Sequence, residues 1–313
     1  FQLGRVRLLA KSDDTSHPKL MRPISILNAE GRLFWTVFQL RLSRYMLSNK
    51  YIEPHIQKGF LEGVAGCVEH TTSQWEMLLN AKQNQRSITM AWLDLENAYG
   101  SVRHMLVQFA LKWYFVPQAM SELLFRYYDG IFLKVITDEW SSDYFHLGIG
   151  VPQGCTASTI IFDVAFQVVL DYWKHNTKAF GPRYTFSGAD LSISCPTYAD
   201  DIELVASTPP QCQTSVDVFV EGINWTKTLK VKPAKCRSLA FRMFHKGTKS
   251  EYKQVLPTQY SSFDPLLTVC GEPIKFIGND DPPIFKYLGF QIQFNLQDTI
   301  IKDQVEQKVI EVA

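Results

Sequence analysis

The sequence is short of the features that usually place a protein quickly. Its six cysteines include no CxxC pair, which argues against a zinc ribbon. In 313 residues they read as buried or free thiols in a reducing, intracellular setting. No apolar run reaches the length of a membrane span. The longest, Ile160 to Trp173, carries Asp163, Gln167 and Asp171, so no membrane partner is expected. There is no signal peptide and no fixed-period repeat of the solenoid type. Excess charge is missing too: 32 Lys and Arg stand against 31 Asp and Glu, for a net +1. A small basic nucleic-acid module carries a larger surplus, so any contact with nucleic acid must come from local clustering. What is present is ordinary globular material, 46% apolar and 13% aromatic, too apolar for a disordered chain. The chain starts at Phe1 without a methionine and reads as a piece of something larger.

Periodicity predicts a mixed order of helices and strands. Gly4–Leu9 reads as a strand, Lys11–Lys19 as a polar loop, and Gly31–Lys50 as a helix with Leu33, Phe34, Val37, Phe38, Leu42, Tyr45 and Met46 inward. Val64–Lys82 reads as a helix with Val68, Trp75, Leu78 and Leu79 inward. Ile88–Leu95 is a mostly apolar strand that reaches Asp94. Helices are expected over Val102–Tyr114, from Pro117 to about Tyr128, over Ser158–Lys174 and over Val216–Leu229. Ile131–Ile136 and Tyr144–Ile149 read as a strand pair, Phe285–Phe294 as a strand, and the residues from Asp298 as the start of a helix. Leu191–Tyr198 and Ile202–Ala206 form a tight hairpin with Ala199-Asp200-Asp201 at its tip. Without regular βαβ alternation the fold class is α+β.

Two acidic sites carry chemistry. Asp94 ends an apolar strand, and Asp200 and Asp201 sit on the hairpin tip. Either alone reads as a cap or a turn former. Together, on neighbouring strand ends, three carboxylates repel one another unless cations sit between them. Two divalent ions about 4 Å apart activate a hydroxyl and stabilise a leaving oxygen in phosphoryl transfer, and magnesium suits all-oxygen ligands. Downstream, Lys227, Lys230, Lys232, Lys235, Arg237, Arg242, Lys246, Lys249 and Lys253 are opposed only by Glu251. That is a phosphate-binding composition.

Tyr198-Ala199-Asp200-Asp201 resembles the Tyr-x-Asp-Asp hairpin of reverse transcriptases. Trp92–Val102 is similar to the first metal-binding motif of that family, and Gly150-Val151-Pro152-Gln153-Gly154 to its Pro-Gln-Gly motif. Arg22-Pro23-Ile24-Ser25-Ile26-Leu27-Asn28 and Gln57-Lys58-Gly59-Phe60 resemble the non-LTR retrotransposon branch. Tyr287-Leu288-Gly289-Phe290 is similar to the primer-grip hairpin. The motifs occur in the family's order.

The resemblance implies a right-hand polymerase. Fingers would span 1–87, palm 88–111, a fingers and palm connection 112–147, palm again 148–292, and the start of a thumb 293–313. It implies that Asp94, Asp200, Asp201 and the carbonyl of Leu95 hold two Mg2+ ions, with Mn2+ as the alternative. Lys11, Arg22, Gln153 and Gly154 would contact the incoming nucleotide, and Tyr99 would exclude a ribose 2′-hydroxyl. Lys235 would protonate the leaving pyrophosphate, and Tyr287, Leu288 and Gly289 would grip the primer. Two positions depart from the family pattern: Lys232 stands where Asn is frequent, and Gly100 where many relatives carry Asp. The implied partners are an RNA template, a DNA or RNA primer and deoxynucleoside triphosphates. The implied setting is a larger polyprotein with endonuclease or nucleic-acid-binding regions, in nucleus or cytoplasm. A catalytically silent binding module, an RNA-dependent RNA polymerase of similar palm and an unrelated metal-dependent hydrolase are the rival readings. Asp280-Asp281, followed by Pro282-Pro283, reads as an exposed turn.

Overall fold

The computed structural model describes residues 3–11, 17, 20–64, 66–177, 183–186, 189–246, 248–254, 267–277 and 284–293. The Asp280-Asp281 turn and the helix expected from Asp298 lie outside them. In chain order the elements are β1 (Leu3–Ala10), β2 (Met21–Ile26), α1 (Ala29–Ser48), α2 (Cys67–Gln83), β3 (Ile88–Leu93), α3 (Ala98–Ser101), α4 (His104–Trp113) and α5 (Gln118–Gly130). Then come β4 (Phe132–Val135), β5 (Phe145–His146), α6 (Ala157–Asn176), β6 (Arg183–Phe186), β7 (Ala189–Ser192), β8 (Thr197–Tyr198), β9 (Asp201–Ala206) and α7 (Pro209–Trp225). The last are β10 (Arg237–Lys246), β11 (Lys249–Gln254), β12 (Thr268–Val269), β13 (Glu272–Pro273), β14 (Lys275–Phe276), β15 (Ile284–Tyr287) and β16 (Phe290–Gln293). By its contacts the chain divides into one unit of residues 1–64, 95–175 and 221–230 and a second of 65–94, 176–220 and 231–313.

The first unit holds a four-stranded sheet in the order β2-β1-β4-β5. Asn28 starts α1 by accepting from the Gly31 amide through its side chain, at 2.9 Å, which satisfies one of the helix's orphan donors. Trp35, Phe38, Leu42 and Met46 form the buried stripe of α1, while Leu33, Phe34 and Val37 are exposed. The stripe is rotated from the expected one because the Trp35 ring packs on Tyr127, 4.3 Å between centroids. Helix α6 is buried on nearly every side, including Phe162, Phe166 and Trp173. Val168 is only half-buried, and Tyr172 is partly exposed.

The second unit is built on a sheet in the order β11-β10-β3-β9-β8, with β14 pairing β10. Strand β3 is the centre and is buried along its whole length. The register fixes rows across one face: Arg237, Trp92 and Glu203 form one, and Leu239, Met90 and Val205 the next. The apolar rows join Met77, Leu78 and Ala81 of α2 and Tyr287 and Ile292 of the β15–β16 hairpin in one core. Each fully buried side chain of that size contributes about 1.5–3 kcal/mol.

Four further expectations change. The inner face of α2 is not Val68, Trp75, Leu78 and Leu79. Val68 is exposed and Trp75 and Leu79 are half-buried, whereas His70, Thr71 and Gln74 are buried beside Leu78. Leu191–Tyr198 is not one strand: it breaks after Ser192 and resumes at Thr197, with Pro196, which lacks an amide donor, in the gap. Helix α7 begins at Pro209 rather than Val216, since proline suits a first turn whose amides have no partner in any case. Phe285–Phe294 is a hairpin rather than a strand. Leu288 and Gly289 take positive φ values, 47° and 87°, which a two-residue turn of matching twist requires.

Candidate active site

Asp94 follows β3 directly, and its backbone carbonyl accepts from the Lys232 amide at 2.8 Å. By the alternation of the strands, Asp94 and Asp201 continue the face that carries Trp92 and Glu203. Tyr198 pairs with Asp201 across the hairpin. The turn between them holds Ala199 at φ 54°, a left-handed conformation costing a residue with a Cβ about 1–3 kcal/mol. Such strain is expected where a turn must present two consecutive carboxylates, Asp200 and Asp201, at its tip.

Lys235 ends a 3-10 turn, Pro233–Lys235, and its Nζ lies 3.4 Å from Asp94 Oδ2. Asp94, Asp201, Lys235, Arg237, Tyr287 and Leu288 all border a cavity of about 270 Å³. Partial burial, then the like charges of Asp200 and Asp94, push the Asp201 carboxyl up to about 6, against the opposing pull of Lys235. The upward push from Asp200 and Asp94 is an ion-site signature: carboxylates held close enough to oppose one another's ionisation. Among the described residues no three His, Cys, Asp or Glu side chains close on a point as a ready-made metal cage. The donor set is carboxylate oxygen, which fits an ion that completes its shell with water and substrate phosphate.

A residue that sequence reasoning missed lies just below. Glu203 is fully buried, its Oε1 accepts from Gln74 Nε2 at 2.7 Å, and burial pushes its carboxyl up to about 8. The available signal was period two along Asp201-Ile202-Glu203-Leu204-Val205, which puts Glu203 on the face of Asp201.

The remaining expected site residues, Gly289 apart, lie in the first unit. Lys11 closes the base of the β1–β2 loop, its amide bonding the Leu20 carbonyl at 2.8 Å. Arg22 pairs with Leu9. The register therefore puts Lys11 and Arg22 on one face of the hairpin, both exposed. The Ser25 amide, three residues on, donates to the Gln153 carbonyl at 2.5 Å. A Cβ on Gly154 would stand 2.4 Å from the Ser25 carbonyl oxygen, at φ +106°. Glycine is thus required for the Pro-Gln-Gly segment to lie against β2. The segment is also tied to the Tyr99 turn: Val151 N bonds Tyr99 O and Gly150 N bonds Val102 O, each at 2.8 Å. Leu95 is buried and follows Asp94 in the chain. Gln57 is buried and accepts from the Gly59 amide at 2.8 Å, so that motif is a side-chain-closed turn. Gly289 sits at the tip of the β15–β16 hairpin with Leu288.

Solved structures that this chain resembles in fold include telomerases. Apo telomerase from Candida tropicalis, truncated from its C-terminal domain, matches with a TM-score of 0.53 at 13% identity, over 80% of this chain and 51% of that one. Telomerase from Candida albicans, in complex with a fragment of telomeric RNA, matches with a TM-score of 0.54 at 12% identity, over 83% and 44%. At that identity the likeness establishes the fold: the helix-packed antiparallel sheet of a right-hand polymerase, fingers and palm. Residues 9–292 match the family described as reverse transcriptase (RNA-dependent DNA polymerase), and the chain belongs to it. Its curated relatives are of the non-LTR branch. The retrovirus-related Pol polyprotein from the type-1 retrotransposable element R2 of Nasonia vitripennis is 26% identical over 288 residues, 91% of this chain and 26% of its own length. The polyprotein of the type-2 element R2DM of Drosophila melanogaster is 27% identical over 254 residues, 81% of this chain and 22% of its own. The chain thus spans about a quarter of the length of these relatives.

Proposed function

We propose that this chain is the fingers and palm of an RNA-directed DNA polymerase of a non-LTR retrotransposon, with fingers over 1–87, palm over 88–111 and 148–292, and 112–147 connecting them. The observation that carries the reading is the convergence of Asp94, Asp201 and Lys235 on one cavity beside Tyr287 and Leu288. The reaction is attack of a primer 3′-hydroxyl on the α-phosphate of a deoxynucleoside triphosphate, with pyrophosphate leaving. Asp94, Asp200, Asp201 and the Leu95 carbonyl would hold two Mg2+ ions. Bound there, the ions would supply the charge that activates the hydroxyl and offsets charge on the leaving group.

The protein's own part is positioning and electrostatics. Arg22 and Lys11 bind the triphosphate, Arg22 with the two-pronged geometry of a guanidinium. Gln153 and Gly154 shape the floor of the nucleotide pocket. Tyr99 packs under the sugar and excludes a 2′-hydroxyl. Lys235 gives its proton to the leaving pyrophosphate, and Tyr287, Leu288 and Gly289 seat the primer end. The template is RNA, the primer DNA or RNA. The parent is a polyprotein with further nucleic-acid-binding or endonuclease regions, working inside the cell in nucleus or cytoplasm.

The test is primer extension on an RNA template with Mg2+ and deoxynucleotides. Template-dependent extension is expected, and Asp200→Asn should abolish it. Folded protein that extends no better than Asp200→Asn would leave a silent binding module. Equal use of ribonucleotides would instead favour an RNA polymerase.

A further inference from the structure

Helix α2 carries three contacts to the acidic hairpin, spaced one helical turn apart along a single line. A Cβ at Gly66, which caps the helix at φ +72°, would stand 2.8 Å from the Tyr198 ring. His70 Nε2 donates to the Thr197 carbonyl at 2.8 Å. Gln74 Nε2 donates to Glu203 Oε1 at 2.7 Å. Positions 66, 70 and 74 share a face by the helical repeat. They reach both strands of the hairpin, residues 197 and 198 on one side and 203 on the other. His70, Gln74 and Glu203 are all buried. A glutamate, a glutamine and a histidine in one buried seam cost stability unless their hydrogen bonds are kept. An apolar seam would have packed the same helix at less cost. The polar contacts differ from apolar ones in one respect: they fix position by direction as well as by distance.

We propose that His70 and Gln74 are positioning residues, a two-point clamp by which α2 holds the Tyr198–Glu203 hairpin so that Asp200 and Asp201 stand in the geometry the reaction needs. The inference deepens the polymerase reading and rests on it for the identity of the catalytic hairpin. The clamp acts through backbone and strand. Thr197 O and Glu203 flank the strained Ala199 turn, whose left-handed residue stays in place only if the neighbouring structure over-determines it. Release of either point lets the turn relax and moves both carboxylates together.

Hydrogen exchange on the whole chain, without substrate, reads the clamp directly. In Gln74→Met, which keeps length and removes the donor, the amides of 199–203 should exchange about tenfold faster or more, while those of the β3 centre keep wild-type rates. In primer extension the same variant should lose about 10- to 100-fold in kcat, as expected for carboxylates displaced by an ångström, with the KM for template-primer held within about twofold. His70→Leu tests the other point independently and should act alike, which keeps the proposal testable if one variant fails to fold. The reciprocal swap Gln74→Glu with Glu203→Gln restores a donor–acceptor pair in reverse and should recover both exchange protection and kcat relative to Gln74→Glu alone. Variants whose melting temperature falls while hairpin exchange and kcat stay at wild-type values would overturn the clamp, as would a folded swap that recovers neither. A wild-type chain that extends no primer, with exchange behaving as described, would count against the polymerase reading and leave the clamp standing.

Discussion

The Tyr99 ring lies stacked on that of Phe162, 4.6 Å between centroids and 11° between planes, and Phe162 stacks in turn on Phe166 at 5.4 Å. Tyr99 is thus the outer member of a short aromatic pile rooted in the buried face of α6. Under the proposed function, a ring so held would not swing aside to admit a larger sugar. Tyr99→Ala should relax discrimination against ribonucleotides by about 10- to 200-fold, the range a pocket methylene or two commands. Phe162→Leu should relax it less, because the pile loses only its backing, worth about 0.5–1.5 kcal/mol per ring pair. Competing incorporation of labelled ribo- and deoxynucleotides measures both. Unchanged discrimination in Tyr99→Ala would remove the residue from the sugar pocket.

Gly154 tests the seam between the Pro-Gln-Gly segment and β2. Alanine there meets a backbone oxygen, Ser25 O, at 2.4 Å, and a backbone atom cannot step aside as a side-chain tip can. The positive φ alone costs about 1–3 kcal/mol, and the clash adds to it. Gly154→Ala should therefore lower stability to chemical denaturation by at least that range and reduce extension. Gly148→Ala, with open space around its Cβ position, should change stability by less than about 0.5 kcal/mol. Equal effects of the two would contradict the packing described.

Tyr114 and Asp171, both in the first unit, give a pH test. Tyr114 Oη donates to Asp171 Oδ2 at 2.7 Å. Burial raises the Asp171 carboxyl above its usual range, and the hydrogen bonds from Tyr114 and Gln167 work against that rise. A carboxyl with a folded pKa above its unfolded one contributes stability at low pH, where both states are protonated, and loses it as pH rises through the folded value. Tyr114→Phe removes a donor that favours the charged form. The Asp171 pKa, read by carboxyl-carbon NMR, should move further up. The variant should lose about 1.5–3 kcal/mol at neutral pH, as for a hydrogen bond to a charge, and less below the usual carboxylate range. A downward shift would refute the assignment.

The strand and turn that carry Asp94, Asp200 and Asp201 were legible because they lie in short contiguous strings. An apolar strand that ends on Asp94 and a turn whose tip is Asp200-Asp201 carry their signal locally, in strand period and turn chemistry. The α+β class followed from the order of elements. What was not legible depends on which surface meets which. On α2, Val68 read as a core residue and is exposed, while His70 and Gln74, which the expected inner face leaves out, are buried, because the hairpin supplies their partners. On α1, one large ring, Trp35, turned the stripe away from Leu33, Phe34 and Val37. Hydrophobic period ranks faces by average polarity, so a face buried through hydrogen bonds is read backwards. Period two placed Glu203 on the face of Asp201, but its burial was not legible for the same reason: its acceptor role is met by a helix distant in sequence.

Lys235 separates two kinds of cation. Its Nζ stands 3.4 Å from Asp94 Oδ2, within reach of the cavity that Asp94 and Asp201 border. A general acid must give up a proton as the leaving oxygen gains charge, and an ammonium can, whereas a guanidinium stays protonated at any working pH. Lys235→Met should lower kcat by about 10²- to 10⁴-fold, the usual weight of a general acid. Lys235→Arg keeps the positive charge beside Asp94 and would restore a purely electrostatic role, but not proton transfer. The expected result is that Arg recovers less than about a tenth of the loss, and that a solvent isotope effect on single-turnover addition, expected for the wild type, disappears in both variants. Recovery of near-wild-type kcat by arginine would make Lys235 a phosphate contact. Its replacement by methionine would then reduce the salt dependence of primer-template affinity by about one phosphate's worth and leave the proton to come from water.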